Sequence, residues 1–333
     1  MHMPVLPRSF CRLVVAGLTA SISAGTAIAE TTWIMASGYP ETSFFTQNIQ
    51  QFADEVEERS GGELKIDLRS NDSLIKLDAI KRAVQSGQVQ AGEIRLSVYG
   101  NEDPIYNLDN TPGVAVDYDQ AWTLMEASKP YLDELFGKDG MRVVAYAPWP
   151  GQGFYTKEPI KSLDDLSGLK LRIYSQQTQK LGSDLGAEAI ILPFAEVPQA
   201  FATNMIDSLW TSAQTGVDIQ AWDYLKAFSY TGTMFQKNAV IVNERAFRAL
   251  PEEIQQIVLD EGAKATERGW KLSQEASDAT MKTLEEHGMA LAEPPADLVA
   301  KMDQIGTAMA DDWRSTASAE EIAVLDAYLA ARR

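Results

Sequence analysis

The chain alternates short apolar runs with amphipathic helical stretches, and it does so twice, on either side of the break Pro148-Trp149-Pro150-Gly151. That alternation confines it to an α/β architecture in which helices cover the faces of sheets. Before the break, Thr31 to Ala36 reads as a strand, ended by Ser37-Gly38-Tyr39-Pro40. Ser43 then opens a helix whose apolar face carries Phe45, Ile49, Phe52 and Val56. Gly61-Gly62 stops it, Leu64, Ile66 and Leu68 alternate as a second strand, and a helix from Leu77 to Gln85 leads to a strand expected over Ile94 to Val98. This order predicts a parallel sheet. Helical spacing from Tyr118 to Phe136 and an apolar strand from Met141 to Tyr146 complete the first set. After the break, strands at Leu169 to Tyr174, Ala189 to Leu192 and Ile206 to Trp210 alternate with helices at Gln176 to Leu185 and Val197 to Thr203.

The fold expected is therefore a two-lobed α/β protein with a cleft between the lobes. Residues 30–150 form an N-terminal lobe to which later segments return, and 151–250 form a C-terminal lobe. From Pro251, the positions Ile254, Ile257, Val258, Ala265, Trp270 and Leu272 keep a helical period far beyond an average helix. Without a heptad of large apolar residues, 251–288 reads as a helix spanning both lobes, not as a coiled coil. Residues 289–333 complete the chain with a strand and helices packed on the lobes.

The N-terminus limits where such a protein works. Arg8 and Arg12, an apolar stretch from Leu13 to Ile28, and Ala27-Ile28-Ala29 have the order of a secretory signal over residues 1–29. The mature chain is expected in the periplasm, with no direct membrane insertion. The one cysteine, Cys11, falls inside the signal, and of the two histidines only His287 lies beyond it. This leaves no material for a disulfide, a cysteine nucleophile or a histidine-based triad or zinc site. A formal charge of −18 disfavours nucleic acid as a partner. His287 reads as a solvated helix cap, and Asp164-Asp165 after Ser162 as helix-start residues. No cofactor or metal is implied, and an extracytoplasmic hydrolase is the weakest of the functional readings.

Three segments carry a family likeness: Ser162 to Arg172, which ends Gly168-Leu169-Lys170-Leu171-Arg172; Pro193 to Asp207; and the long helix from Pro251. Their order and spacing resemble the extracytoplasmic solute receptors of tripartite ATP-independent periplasmic (TRAP) transporters, the C4-dicarboxylate-binding-protein-like family, over the whole mature chain. The resemblance implies two lobes that close over a small organic acid and deliver it to TRAP-type membrane permease subunits. It also implies that Arg172 pairs with a ligand carboxylate, a role suited to a planar fork of donors that stays charged when buried. The residues alone weigh equally an Arg172 paired internally with Glu93 or Asp207.

This chain departs from the family pattern at two places. Gln152 stands where many relatives carry a second arginine, and Trp210 and Thr211 stand where Glu and Asn are usual. A ligand with one anionic group and an apolar body, such as an aromatic acid, fits those changes better than a heavily charged sugar acid or a simple dicarboxylate. Trp149 and Trp210 are the expected walls, with Gln152 and Thr211 as polar readers and Tyr39 as a contact from the other lobe. Among Glu93, Glu102, Asp103 and Asp109, three read as surface or capping residues. Glu93, placed just before an apolar strand, leaves open an amine or zwitterion held by that carboxylate and the tryptophans.

Overall fold

β-branched and aromatic side chains fit the first strand to a sheet covered on one face, with Trp33 and Met35 buried under the following helix. The computed structural model describes residues 1, 2 and 30–332, so nearly all of the expected signal, with Cys11, lies outside the described residues. In chain order the elements are β1 (Thr31–Ala36), α1 (Phe44–Arg59), β2 (Leu64–Arg69), α2 (Ile80–Ser86), β3 (Ala91–Arg95), α3 (Tyr118–Lys138) and β4 (Met141–Pro148). Then follow β5 (Gln152–Thr156), β6 (Lys170–Ile173), α4 (Gln176–Asp184), β7 (Glu188–Ile191), α5 (Val197–Ala202), β8 (Ser208–Ser212), α6 (Ala213–Asp218) and β9 (Ala227–Tyr230). The remainder is β10 (Lys237–Asn243), α7 (Glu244–Arg248), α8 (Glu252–Glu286), β11 (Ala290–Ala292), α9 (Ala296–Thr316) and α10 (Ala319–Ala331).

The strands form two sheets, ordered β2-β1-β3-β10-β4 and β11-β9-β5-β8-β6-β7, with helices on both. This is the two-lobed α/β architecture. Neither sheet is purely parallel. In the first, β2, β1 and β3 run parallel, but β10 inserts antiparallel between β3 and β4. In the second, β5 lies antiparallel between β8 and β9. The parallel pairing expected of the first three strands is present, and the antiparallel β10 is an addition from far downstream, where no local alternation reveals its partners. Residues 237–248 thus return to the first lobe.

A correction concerns β3. The strand covers Ala91–Arg95, and Leu96–Tyr99 is a short 3-10 turn, so Glu93 lies inside the strand instead of before it. Every residue of β3 is buried, and a strand covered on both faces loses the alternation that marks its limits.

The chain passes between lobes at Trp149–Gly151, at 231–236 and along two helices. Helix α8, of 35 residues, packs on α1 and β4 in the first lobe and on α6 and β11 in the second. Helix α9 buries Leu298, Met302 and Ile305 against the second sheet, while its Trp313 indole donates to Pro104 O in the first lobe at 2.7 Å. His287 caps α8 and stacks on Trp222.

The approach of α8 to β4 depends on missing side chains. A Cβ at Gly262 would fall inside the contact radius of the Val144 carbonyl oxygen, and one at Gly269 would lie 2.9 Å from Ala147 Cβ. Backbone cannot yield as a flexible side chain does. Gly262→Ala is therefore expected to lower stability in urea by about 1–3 kcal/mol. Gly137→Ala in α3 meets nothing within 4 Å, and is expected to raise stability by no more than about 1 kcal/mol.

Candidate ligand-binding site

At the junction the C-terminal ends of β3, β6 and β8, the end at which open α/β sheets present ligand contacts, lie beside the N-terminal ends of the antiparallel strands β5 and β10. On β6, Leu171 and Ile173 pack into the second lobe's core, so Arg172 points to the opposite face. Its guanidinium is 1% exposed, and its Nε and Nη2 donate to Leu192 O at 3.1 and 2.8 Å. That fork fixes the side chain without neutralising it. Among the described residues no carboxylate lies within 4.0 Å of Arg172, so neither Glu93 nor Asp207 is its partner. Asp207 instead accepts from the Lys170 amide at 2.9 Å.

A second guanidinium reaches the same place from the first lobe. Arg95, at the end of β3, donates from Nη2 to Tyr174 O at 3.3 Å, and its buried Nε has no partner. Arg95 Cζ lies 4.9 Å and Arg172 Cζ 5.6 Å from the centre of the Tyr174 ring, so one aromatic face region attracts both cations. Burial, with Arg95 as the next cause, pushes the Arg172 guanidinium down to about 9. It stays charged at neutral pH. Burial likewise pushes the Tyr174 phenol up, and the two arginines oppose that.

The expected site residues fall into two connected groups and one outlier. Tyr174 unites the first group: its hydroxyl donates to Gln152 Oε1 at 3.1 Å, and its ring stacks on Trp210 with centroids 6.2 Å apart at 10°. Gln152 Nε2 is taken by Pro150 O, so this side chain braces Tyr174 rather than standing free as a reader. Trp210 Nε1 is buried and unpartnered. Asn238 unites the second group: Trp149 Nε1 donates to Asn238 Oδ1 at 2.8 Å, and Asn238 Nδ2 donates to Glu93 Oε1 at 2.9 Å. The Ser37 hydroxyl donates to Glu93 Oε2 at 2.6 Å. With both oxygens already accepting, Glu93 lacks the open face that an ammonium would need. Burial pushes its carboxyl up to about 7, against the two donated bonds. Tyr39 packs edge-on against Trp149 in its own lobe and Phe194 in the other, with its hydroxyl unpartnered. Thr211 is buried in β8 opposite Gly153, and its hydroxyl joins neither network.

Three contributors escaped the sequence reading: Arg95, Asn110 and Asn238. Asn110 Nδ2 donates across the junction to the Ser175 hydroxyl at 2.6 Å, and Ser175 is the N-cap of α4. Arg95 had a usable signal, since it stands two residues after Glu93 and shares its strand face. The other acidic residues of that segment have structural partners. Glu102 pairs with Lys81, Asp103 caps the turn at Ile105, and Asp109 forms a buried pair with Lys237 at 2.8 Å. Among the described residues no cluster of His, Cys, Asp and Glu has the makings of a metal site, and no helix is long and apolar enough to cross a membrane.

Two lobes closed on a buried, positively charged junction define a solute receptor of the binding-protein class. The chain belongs to the bacterial extracellular solute-binding proteins of family 7, whose sequence model matches residues 35–317. It is a TRAP extracytoplasmic solute receptor of the C4-dicarboxylate-binding-protein-like family, and not an enzyme. A Bordetella pertussis extracytoplasmic solute receptor binding pyroglutamic acid is 42% identical, with a TM-score of 0.88 over 90% of this chain and 100% of that one. A marine metagenome TRAP solute binding protein specific for pyroglutamate is 30% identical, with a TM-score of 0.88 over 90% and 99% of the two chains. The C4-dicarboxylate-binding periplasmic protein of Rhodobacter capsulatus is 24% identical, over 84% of this chain and 85% of its own.

The indole of Trp149 tests how far the second network supports the first lobe. Trp149→Phe keeps an aromatic ring, though a smaller one, and strands the buried Asn238 Oδ1. A loss of about 1–3 kcal/mol in urea denaturation is expected.

Proposed function

We propose that this receptor works in the periplasm, captures a small organic acid with one carboxylate on a compact, largely apolar body, and passes it to TRAP permease subunits. Pyroglutamate, a cyclic amide with a single carboxylate, is the type ligand. The observation that carries the reading is the pair of buried guanidiniums, Arg172 and Arg95, with no carboxylate partner among the described residues. Burying such charges costs several kcal/mol apiece unless an anion joins them. The pyroglutamate ligands of the neighbours at 42% and 30% identity support the same class.

In this reading Arg172 anchors the carboxylate with its Nη1 edge, since Leu192 O holds the other edge. Arg95 grips from the opposite lobe, so the ligand gains both cations only when the lobes are shut. Such a difference in affinity between closed and open states drives closure. Trp210 and Tyr39 carry unpartnered polar atoms suited to a ligand carbonyl or amide. The amine reading has less support, because an ammonium would enter beside two guanidiniums and find Glu93 already engaged.

Calorimetry with pyroglutamate tests the anchor. Arg172→Ala is expected to weaken binding by about 2–5 kcal/mol, the scale for removing one partner of a buried charge pair. Arg172→Lys should recover only part, because an ammonium lacks the fork that grips Leu192 O. Unchanged affinity in Arg172→Ala would remove this residue from the role.

A further inference from the structure

The charges buried at the lobe junction do not cancel. Arg95 and Arg172 bring two positive charges, and Lys237 and Asp109 neutralise each other in their own pair. Glu93, 1% exposed, brings one negative charge on the same face of β3 as Arg95. Tyr39 also stands here, with Arg95, Glu93 and the exposed Asp78 as its charged neighbours, and burial pushes its phenol up so that it stays neutral. With Glu93 ionised, the junction is left with a single positive charge.

We propose that Glu93 sets the charge of the ligand this receptor accepts: without pairing with either guanidinium it lowers the net buried charge by one and so selects a monoanion over a dianion. The inference rests on the carboxylate-receptor reading above and adds a specificity-determining residue to it. A monoanion brings the buried junction to neutrality. A dianion leaves one buried negative charge unpaired, which a low-dielectric interior penalises. The hydrogen bonds from Ser37 and Asn238 favour the ionised carboxylate against burial, which pushes it up to about 7, and fix it in place. Glu93 need not touch the ligand for this role, because an uncompensated charge acts at a distance inside protein.

Glu93→Gln isolates the charge. Glutamine keeps the shape, accepts from Asn238 through its amide oxygen and donates toward the Ser37 hydroxyl, so the network survives. Calorimetry on the full mature chain would compare pyroglutamate, a monoanion, with glutarate, a dianion of the same carbon count. The unaltered receptor should prefer pyroglutamate, and Glu93→Gln should reduce that preference by about tenfold or more. Burial pushes Glu93 up to about 7, so lowering the pH from about 8 to about 6 should shift the unaltered receptor the same way while both ligands remain largely ionised. This second measurement serves if the variant does not fold.

A preference within twofold of the original in both measurements overturns the proposal, as does an equal weakening of both ligands, which marks Glu93 as a mere support for Asn238 and Trp149. A receptor that prefers glutarate from the start overturns the charge count but leaves the carboxylate reading standing. A receptor that binds neither acid, nor any other carboxylate, overturns both.

Discussion

Two guanidiniums held in a buried junction, with no carboxylate in contact with either among the described residues, are the constraint around which the molecule is organised. Desolvating an unpaired cation is expensive, and the protein meets that cost in part with carbonyl oxygens and one aromatic face. Leu192 O takes two donors of Arg172, Tyr174 O takes one of Arg95, and the Tyr174 ring lies against both. Arg95 belongs to the first lobe and Arg172 to the second, so in the function proposed above the cost falls on the shut state, and an anion that meets both cations would offset it there.

Precision at the junction comes from the segment that crosses back into the first sheet. Gln236, Lys237 and Asn238 each fix a different partner: Gln236 O accepts from the Trp149 amide, Lys237 pairs with Asp109, and Asn238 links Trp149 to Glu93. Asp109 precedes Asn110, whose amide reaches the cap of α4 in the other lobe. Helix α8 lies on β4 at glycine distance, which ties it closely to the first lobe. A small shift in the crossing segment therefore reaches the tryptophan wall, the buried carboxylate and the interlobe bond together.

Much of this was legible in the sequence where the signal is local. The helical period after Pro251 marked α8, and Ser162 with Asp165 forms a capping box at the turn leading to Arg172. Arg172 itself stood out through its family likeness, since a charge on an apolar strand reads equally well as an internal ion pair. What stayed hidden depends on contacts distant in sequence. Glu93 and Arg95 share a strand face, but Ile94, Leu96 and Val98 mimic a strand three residues too late. Asn238 lies within a strand buried at every position, and nothing near it announces that its amide joins a tryptophan to a carboxylate far upstream.

The use of carbonyls instead of carboxylates to hold the arginines separates a receptor from a stable ion-pair network. An internal Asp or Glu on Arg172 would orient it equally well, but a ligand carboxylate would then have to displace that partner and lose most of its gain. Carbonyl dipoles orient the fork and leave its charge uncancelled. Glu93 fits the same proposed logic from the other side: bound by Ser37 and Asn238 and lacking an ion-pair contact to Arg95, it would lower the total charge and leave both guanidiniums open to a ligand. The junction keeps its geometry fixed and its net charge positive, the combination that the proposed capture of a small anion and closure of the lobes over it requires.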